Sequence, residues 1–507
     1  MSWIKKFKKL ASLAIVLANA ICVGHSADTL IIKVPSTDKD LFHFESPVQT
    51  IYTTTAPVLG QLLYPSHGYS LQPGLLKCFC WDGKTNSYLL TLRDDLVFHN
   101  GRKVEARDLE FSLLRGFYTT KPSFVESFFN NVLGIDAIKG TKKYRGGLVS
   151  GVQVVDKSSL KIVLTGPNPT LLHALTRLNF TLVPIEALQN DYETWKTVPI
   201  GAGPYKVVRY DAQKQELQIA KIDQTYIGPK EIRFTGSENR EADIDISGQP
   251  QPGYVSHLSK RAVRLTGIYF NYNSPLGRDL AFRQSVNDAL DRDELCRNIE
   301  AYHPAHEFLA RHFYGRALIT HQQDFVKASQ TIAKITAFNS SMTYRIPVFN
   351  AGYGQELFGS YLNILVHQFK KIGLNVEFFE SKTKFFDQND ISTPFRIISL
   401  GADITDPIAL FGMLRGKAST LSPHFPVDDA EFEALYQRAK TAETFAERMK
   451  SLMRISDYIM KNQWMVPLFE KKAVVSYNPK RIESLGNQDG GLVFYPELVV
   501  IRKSGNG

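Results

Sequence analysis

Apolar and polar positions change period repeatedly along this chain, and each change marks an element. "TLIIKV" (29–34) is a short unbroken apolar run, which predicts a buried strand. "TTTAPVLGQLLY" (53–64) predicts the start of a helix. "SYLLTLRDDLVFHNGRKV" (87–104) has apolar residues parted by turn signals at "RDD" and "HNG", which predicts a hairpin. In "EARDLEFSLLRGFY" (105–118), Leu109, Ser112, Leu113 and Gly116 fall at helical spacing, with acids early and Arg115 late. "SGVQVVDKSSLKIVL" (150–164) reads as strand, turn, strand, and "LLHALTRL" (171–178) as helix. "PIGAGPYKVVRYDAQKQELQIAK" (199–221) is a Gly/Pro loop followed by two alternating strands, and "GIYFNYNSP" (267–275) is a strand with a polar end.

The C-terminal half alternates between the two periods. "DLAFRQSVNDALDRDELCRNI" (279–299) predicts one long amphipathic helix. "YRIPVFNAG" (344–352), "ELFGSYLNILVHQFKKIGL" (356–374) and "NVEFFE" (375–380) make a β-α-β unit, which requires a parallel sheet. "FEALYQRAKTAETFAERMKSLMRISDYIMKNQ" (432–463) is mostly helical, and "MVPLFEKKAVVSY" (465–477) returns to strand. The fold class is α/β. No internal repeat or low-complexity tether interrupts it.

The first residues do not belong to that pattern. Lys5, Lys6, Lys8 and Lys9 precede an apolar stretch from Leu10 to Val23, and small residues follow. This is the order of a secretory signal peptide over residues 1–26, with cleavage expected near Ser26 or Ala27. The apolar part is short for a membrane span. Cys22 follows Ile21, which is not the small residue that lipid attachment favours, so a free periplasmic protein is expected rather than a lipid-anchored one.

Composition adds bounds. At 507 residues and about 150 per domain, two to four domains are expected. With 43% hydrophobic and 22% charged residues the chain can bury substantial cores. The formal charge is +10, but four of those charges are the leader lysines. The remainder is mildly basic and dispersed, unlike the clustered footprint of a nucleic-acid binder. Cys78 and Cys80 are too close for an ordinary bridge, and a chain of this size needs no disulfide framework.

Five segments occur in an order that resembles one family. They are "LQPGLLKCFCWD" (71–82), "YLLTLRDDLVFHNGRKVEARDLEFSLLR" (88–115), "PIGAGPYKV" (199–207), "FNYNSPLGRDLAFRQSVNDALDRDEL" (270–295) and "WMVPLF" (464–469). Together they look like the bacterial extracellular solute-binding proteins of family 5, the oligopeptide- and dipeptide-binding receptors of ABC transporters. The resemblance spans essentially the whole mature chain. It implies a two-lobed periplasmic-binding-protein clamp of class II type with an additional inserted domain. Lobe I would comprise 27–55, 185–265 and 480–507, the inserted domain II 56–184, and lobe III 266–479. The ligand would be buried between lobes, and the expected partners are a short peptide and an inner-membrane permease. A monomer with no cofactor and no nucleic acid is expected.

Most of these motif residues have structural readings of their own. Arg93 with Asp94 and Asp95 is a charged turn, and Asn100-Gly101 a tight turn. Asp108 suits a helix start, and Gly201, Gly203 and Pro204 suit a crossing between lobes. The segment "IISLGADITDPIALFGML" (397–414) is different: an apolar strand ends in Gly401, and two carboxylates follow, Asp403 and Asp406.

Asp406 precedes Pro407 and is the better helix-cap candidate. Asp403 stands where the family holds a peptide's α-ammonium. A buried ammonium without a counter-charge costs several kcal/mol, and a charge-assisted hydrogen bond contributes about 1.5–3 kcal/mol. The backbone of Gly401 and Ala402 would pair with an extended peptide as an added strand. Glu45 and Ser46, in "HFESP" (43–47), look like the N-terminal counterpart. Many relatives carry a tryptophan just before this aspartate, where Ser399 and Leu400 stand here. Arg345 and Arg396 are regional candidates for the ligand's carboxylate.

Three other readings compete. An enzyme finds no GxSxG, HExxH or P-loop pattern, and "HEFLA" at His306 has one histidine where a zinc motif needs two. A nickel or haem carrier of the same fold would use His303, His306, His312 and His321. A receptor specialised for cell-wall muropeptides would use the same Asp403.

Overall fold

The computed structural model describes residues 28–35, 49–65, 70–119, 126, 128–211, 213–214, 216–222, 226–236, 242–246, 252–349, 360–381, 390–401, 406–415, 428–488 and 494–502. Among them the largest sheet has eleven strands. In spatial order it runs through Asn375–Ser381, Thr343–Phe349, Phe395–Gly401, Val255–Phe270, Met465–Tyr477, Ile244–Asp245, Thr29–Lys33, Glu231–Thr235, Glu216–Lys221 and Tyr205–Asp211, with Tyr302–Pro304 added beside Met465–Tyr477.

Two strands in the middle of this order are unusually long. Val255–Phe270 and Met465–Tyr477 pair antiparallel from Val255↔Tyr477 to Tyr269↔Met465. One end of the pair meets Ile244–Asp245, through Tyr477 and Ser476, and leads into one lobe. The other end is flanked by Phe395–Gly401, paired along Arg264 to Phe270, and leads into the second. The register of the crossing pair shifts between Leu258 and Ala262, between Ala262 and Arg264, and between Thr266 and Gly267. Such irregularities bend a ladder and increase its twist, so the two lobes meet at a strand pair already shaped to turn.

Each lobe has its own core. Leu30, Ile32, Val58, Tyr205, Ile232, Phe234, Ile482 and Val499 pack together on one side. On the other, Phe270, Phe282, Phe369, Phe395 and Val466 form one cluster, and Phe411, Phe432, Leu452 and Trp464 an adjoining one. Between the first two strands of the large sheet in chain order, Thr29–Lys33 and Tyr205–Asp211, a separate four-stranded sheet (Leu76–Asp82, Ser87–Leu92, Ser159–Val163, Val152–Val154) carries a further core from Leu62 to Leu182. The chain is an α/β two-lobed clamp with an added domain.

Local signals are met where they were strong. The β-α-β unit is parallel, Thr343↔Asn375 to Phe349↔Ser381, with the helix Ser360–Lys370 between the strands. At the Asn100-Gly101 turn, Gly101 has φ +87° and donates to Phe98 O at 2.8 Å, but the hairpin expected over 87–104 is reduced to one bridge, Val97↔Lys103, because Ser87–Leu92 pairs instead with Leu76–Asp82 and Ser159–Val163. Asp108 accepts the Glu105 N–H at 2.9 Å at the start of the helix Ala106–Leu114.

The predicted helix over 279–299 is instead two, Leu280–Asp288 and Arg292–Cys296. Asp279 caps the first and Asp291, in extended backbone, caps the second by accepting the Glu294 N–H at 2.9 Å. A capping aspartate inside an amphipathic period overrides the period. Similarly, 432–463 divides into Ala430–Thr441 and Phe445–Lys461, with a Thr444/Glu447 capping box between.

Gly201 and Gly203 lie against the end of the helix Gln49–Leu59. A Cβ on Gly203 would fall 2.3 Å from Pro57 O, and one on Gly201 2.4 Å from Val58 O. Both obstacles are backbone and cannot rotate away. Gly203→Ala is expected to cost about 1–3 kcal/mol of stability by overpacking, read as a lower denaturant midpoint.

Candidate functional site

The strand Phe395–Gly401 is buried over its first four residues and half-exposed over its last three. Along one side it pairs with Val255–Phe270 for its whole length, ending at Gly401↔Arg264. Along the other side it pairs with Thr343–Phe349 only at Ile397 and Ile398. Ser399, Leu400 and Gly401 therefore have no ladder partner on that side among the described residues. Unpaired strand backbone of this kind is a template for an added strand.

Under this edge lies a water-sized cavity of about 20 Å³, lined by Arg264, Leu265, Phe308, His312, Leu400 and Gly401, among others. Arg264 Nη1 donates to Ser399 O at 3.3 Å, and Thr266 Oγ1 donates to Ser399 Oγ at 3.1 Å. These bonds tie the edge to the crossing strand. The His312 imidazole is pushed down to about 4 by burial, with Arg261 and Arg316 adding to the effect, so it is neutral at physiological pH. Ser399 and Leu400 are both half-exposed.

Of the residues expected from the sequence to touch ligand, Gly401 is placed at this edge. Ala402, Asp403, Glu45 and Ser46 lie outside the described residues. The arginine candidates diverge. Arg345 is largely exposed, its guanidinium over the Phe379 ring and its Nε 3.8 Å from Glu377. Arg396 is buried and pushed down to about 10 by burial.

The four histidines do not gather. His306 Nδ1 accepts the His321 backbone N–H at 3.2 Å, His321 Nε2 lies 3.1 Å from Asp288, and the His312 ring lies against Phe313. Among the described residues no group of three His, Cys, Asp or Glu side chains could hold a metal ion. Cys78 and Cys80 are free and exposed.

Asp406 is the helix cap that the sequence suggests, and also the centre of a buried ionic group. Its Oδ1 accepts the Ile408 N–H at 3.0 Å at the head of the helix Pro407–Gly412. Its Oδ2 accepts from Arg448 Nη2 at 2.6 Å and from Thr170 Oγ1 at 2.8 Å, and the Tyr314 hydroxyl donates to Oδ1 at 3.3 Å. The paired side chains are 0% and 5% exposed. Burial acting alone would raise this carboxyl, but Arg448, His173 and the hydrogen bonds outweigh it and hold it below the ordinary range.

Thr170 and His173 stand on the short helix Thr170–Ala174, packed in the core of the four-stranded domain. Asp406 and Arg448 stand beside the core of the second lobe. The ionic group thus joins the two bodies, three residues beyond Asp403. Arg448 escapes a motif-based reading. Its sequence signal is an arginine at 448 sharing helical spacing with Leu452, Ile455 and Ile459, all buried. A guanidinium on an apolar face requires a buried partner.

Two lobes with separate cores, joined by a long pair of strands, make a clamp. The chain belongs to the bacterial extracellular solute-binding proteins, family 5, whose model matches residues 70–421. It is similar to a putative ABC transporter peptide-binding protein of Brucella ovis, 24% identical over 262 residues. That match covers 45% of this chain and 48% of the relative, so about half the length of that relative is matched. It is 20% identical over 429 residues to the oligopeptide-binding protein OppA of Bacillus subtilis, covering 76% of this chain and 77% of that protein. The crystal structure of Haemophilus influenzae OppA in complex with RPPGFSPFR has the same fold, with a TM-score of 0.75 at 15% identity, covering 94% of this chain and 99% of that one. Among the described residues no helix is long and apolar enough to cross a membrane.

Proposed function

We propose that this chain is the exported, non-enzymatic receptor of an ABC importer and closes its two lobes over a short peptide. The observation that carries the reading is the strand end Ser399–Gly401, which has no ladder partner on one side among the described residues, with Asp403 two residues beyond it in a solute-binding protein. The peptide backbone pairs along Gly401 and Ala402, and its α-ammonium is held by the Asp403 carboxylate. Glu45 and Ser46 contact it from the opposite lobe. Closure removes water from this contact and strengthens it. The names of the relatives support peptide as the ligand class, and the family supports delivery to a membrane permease.

The same proposal assigns 1–26 as a leader removed on export to the periplasm. It keeps three bodies, as the separate cores support, with bounds near those expected from the sequence, although Val58 and Leu59 pack with the first lobe rather than the inserted domain, and takes the mature protein to be a monomer.

Calorimetry with a panel of two- to five-residue peptides tests the reading. Free peptides are expected to bind, and N-acetylated ones to bind about 10- to 100-fold more weakly, as loss of a charge-assisted contact implies. Asp403→Asn should weaken free peptides by a similar factor and leave acetylated ones unchanged. Equal affinity for both peptide forms overturns the amine contact. Uptake of nickel in place of peptides, or of murein peptides alone, overturns the general peptide reading.

A further inference from the structure

A second cavity, of about 700 Å³, shares no described lining residue with the cavity under Gly401. It lies where the four-stranded domain meets the first lobe. Tyr64 and the Arg93–Val97 turn line it from one side, and Ala202–Pro204, Tyr226 and the C-terminal segment through Tyr495 and Glu497 line it from the other. Its volume is far beyond a packing defect and within the range of small-molecule sites, roughly 300–1,000 Å³.

Glu497 is 3% exposed, and its Oε2 has no hydrogen-bond partner among the described residues. It stands on the short turn Pro496–Leu498, held close by Gly228, whose φ is +145° and whose Cβ would fall 2.3 Å from Glu497 O. Burial pushes its carboxyl up to about 7. Tyr64, Tyr226 and Tyr495 surround it: each phenol is raised first by burial and next by the Glu497 charge. Tyr64 and Tyr495 meet edge to face, ring centroids 5.9 Å apart. Arg93 stands at the exposed rim, paired with Asp95, and is the sole basic side chain among the described lining residues.

A desolvated carboxyl with an unpartnered oxygen, in a cavity also lined by three tyrosines, favours a cation. A cation gains from both the carboxylate and the ring quadrupoles. A divalent metal would need several further oxygen or nitrogen ligands that neutral phenols do not supply. We propose that this cavity binds a small organic ammonium ion, its charge against Glu497 and its alkyl body on the faces of Tyr64, Tyr226 and Tyr495. The site is separate from the peptide edge, so both ligands bind at once. A bound cation favours the carboxylate and drives a proton off Glu497.

Titration calorimetry on the whole mature protein, with tetramethylammonium and 1,5-diaminopentane as probes, tests this at pH 7. One saturable site is expected for at least one probe, with proton release, read from buffers of different ionisation heat. Glu497→Gln, which mimics the neutral acid and should fold normally, is expected to weaken binding at least about tenfold and abolish proton release. Tyr226→Leu should weaken binding several-fold and keep the proton release. No binding heat with either probe up to about 10 mM overturns the proposal. So does equal affinity in Glu497→Gln, or loss of amine binding when the protein is saturated with peptide.

Discussion

Arg448→Ala is expected to destabilise the protein by about 3–5 kcal/mol, because it strands the Asp406 carboxylate in a site with no access to water. The guanidinium that would be lost donates to Asp406 at 2.6 Å and to the Ala439 carbonyl at 3.0 Å, and both ionic partners are almost wholly buried. A surface ion pair would contribute under about 1 kcal/mol, so the size of the loss discriminates. Urea unfolding of Arg448→Ala, Asp406→Asn and the double variant measures it. Removing both charges with apolar replacements, Arg448→Met and Asp406→Leu, should recover most of the loss, since the desolvation of both ions disappears too.

The pH dependence has a definite sign. The folded carboxyl of Asp406 lies below its ordinary value. Its contribution is therefore complete above the unfolded pKa of about 3.9 and fades as pH falls through the lower folded value. The wild type should lose this increment below about pH 4, and Asp406→Asn should show a correspondingly smaller acid-side loss. A single variant unfolding with the full loss at pH 7 and none of it at low pH identifies the ion pair as the cause.

Phe395→Ala is the second large effect, also about 3–5 kcal/mol. Phe395 is 0% exposed, and its ring centroid lies 6.2 Å from that of Phe270, 6.4 Å from Phe282 and 5.9 Å from Phe369. Truncation removes transfer energy and leaves a void among aromatic rings that cannot readily collapse into it. Phe395→Leu keeps more of the volume filled and should cost less. The residue begins the strand that ends at Gly401, so the effect belongs to stability: under conditions where the variant is folded, peptide affinity should stay close to wild type. A large drop in affinity at unchanged unfolding midpoint would contradict this division.

What was legible in the chain was local. The parallel unit over 343–381 follows from period and order, and the turn at Asn100-Gly101 from the need for positive φ. Asp406 as a cap follows from its place before Pro407. The division of 279–299 was missed because hydrophobic spacing continues across Asp291 while the backbone does not. Partners distant in sequence were not legible. Nothing near Thr170 announces a carboxylate 236 positions away, although Arg448 on an apolar helix face signals that some acid must lie opposite. Glu497 gives the same kind of clue, an acid inside "FYPELVV", but neither the tyrosines nor the cavity can be inferred from neighbours in the chain. Which strands flank Ser399–Gly401 is a property of the assembled sheet, and hydrophobic period does not reveal it.

The paired strands that cross between the lobes carry a mechanical consequence. A loose tether would let the halves tumble in any direction, whereas a hydrogen-bonded ribbon resists shear and stretching and yields mainly in torsion. Its three register faults concentrate that yield within Leu258–Gly267. Two stiff bodies on such a ribbon would turn about its length more readily than they would slide past one another.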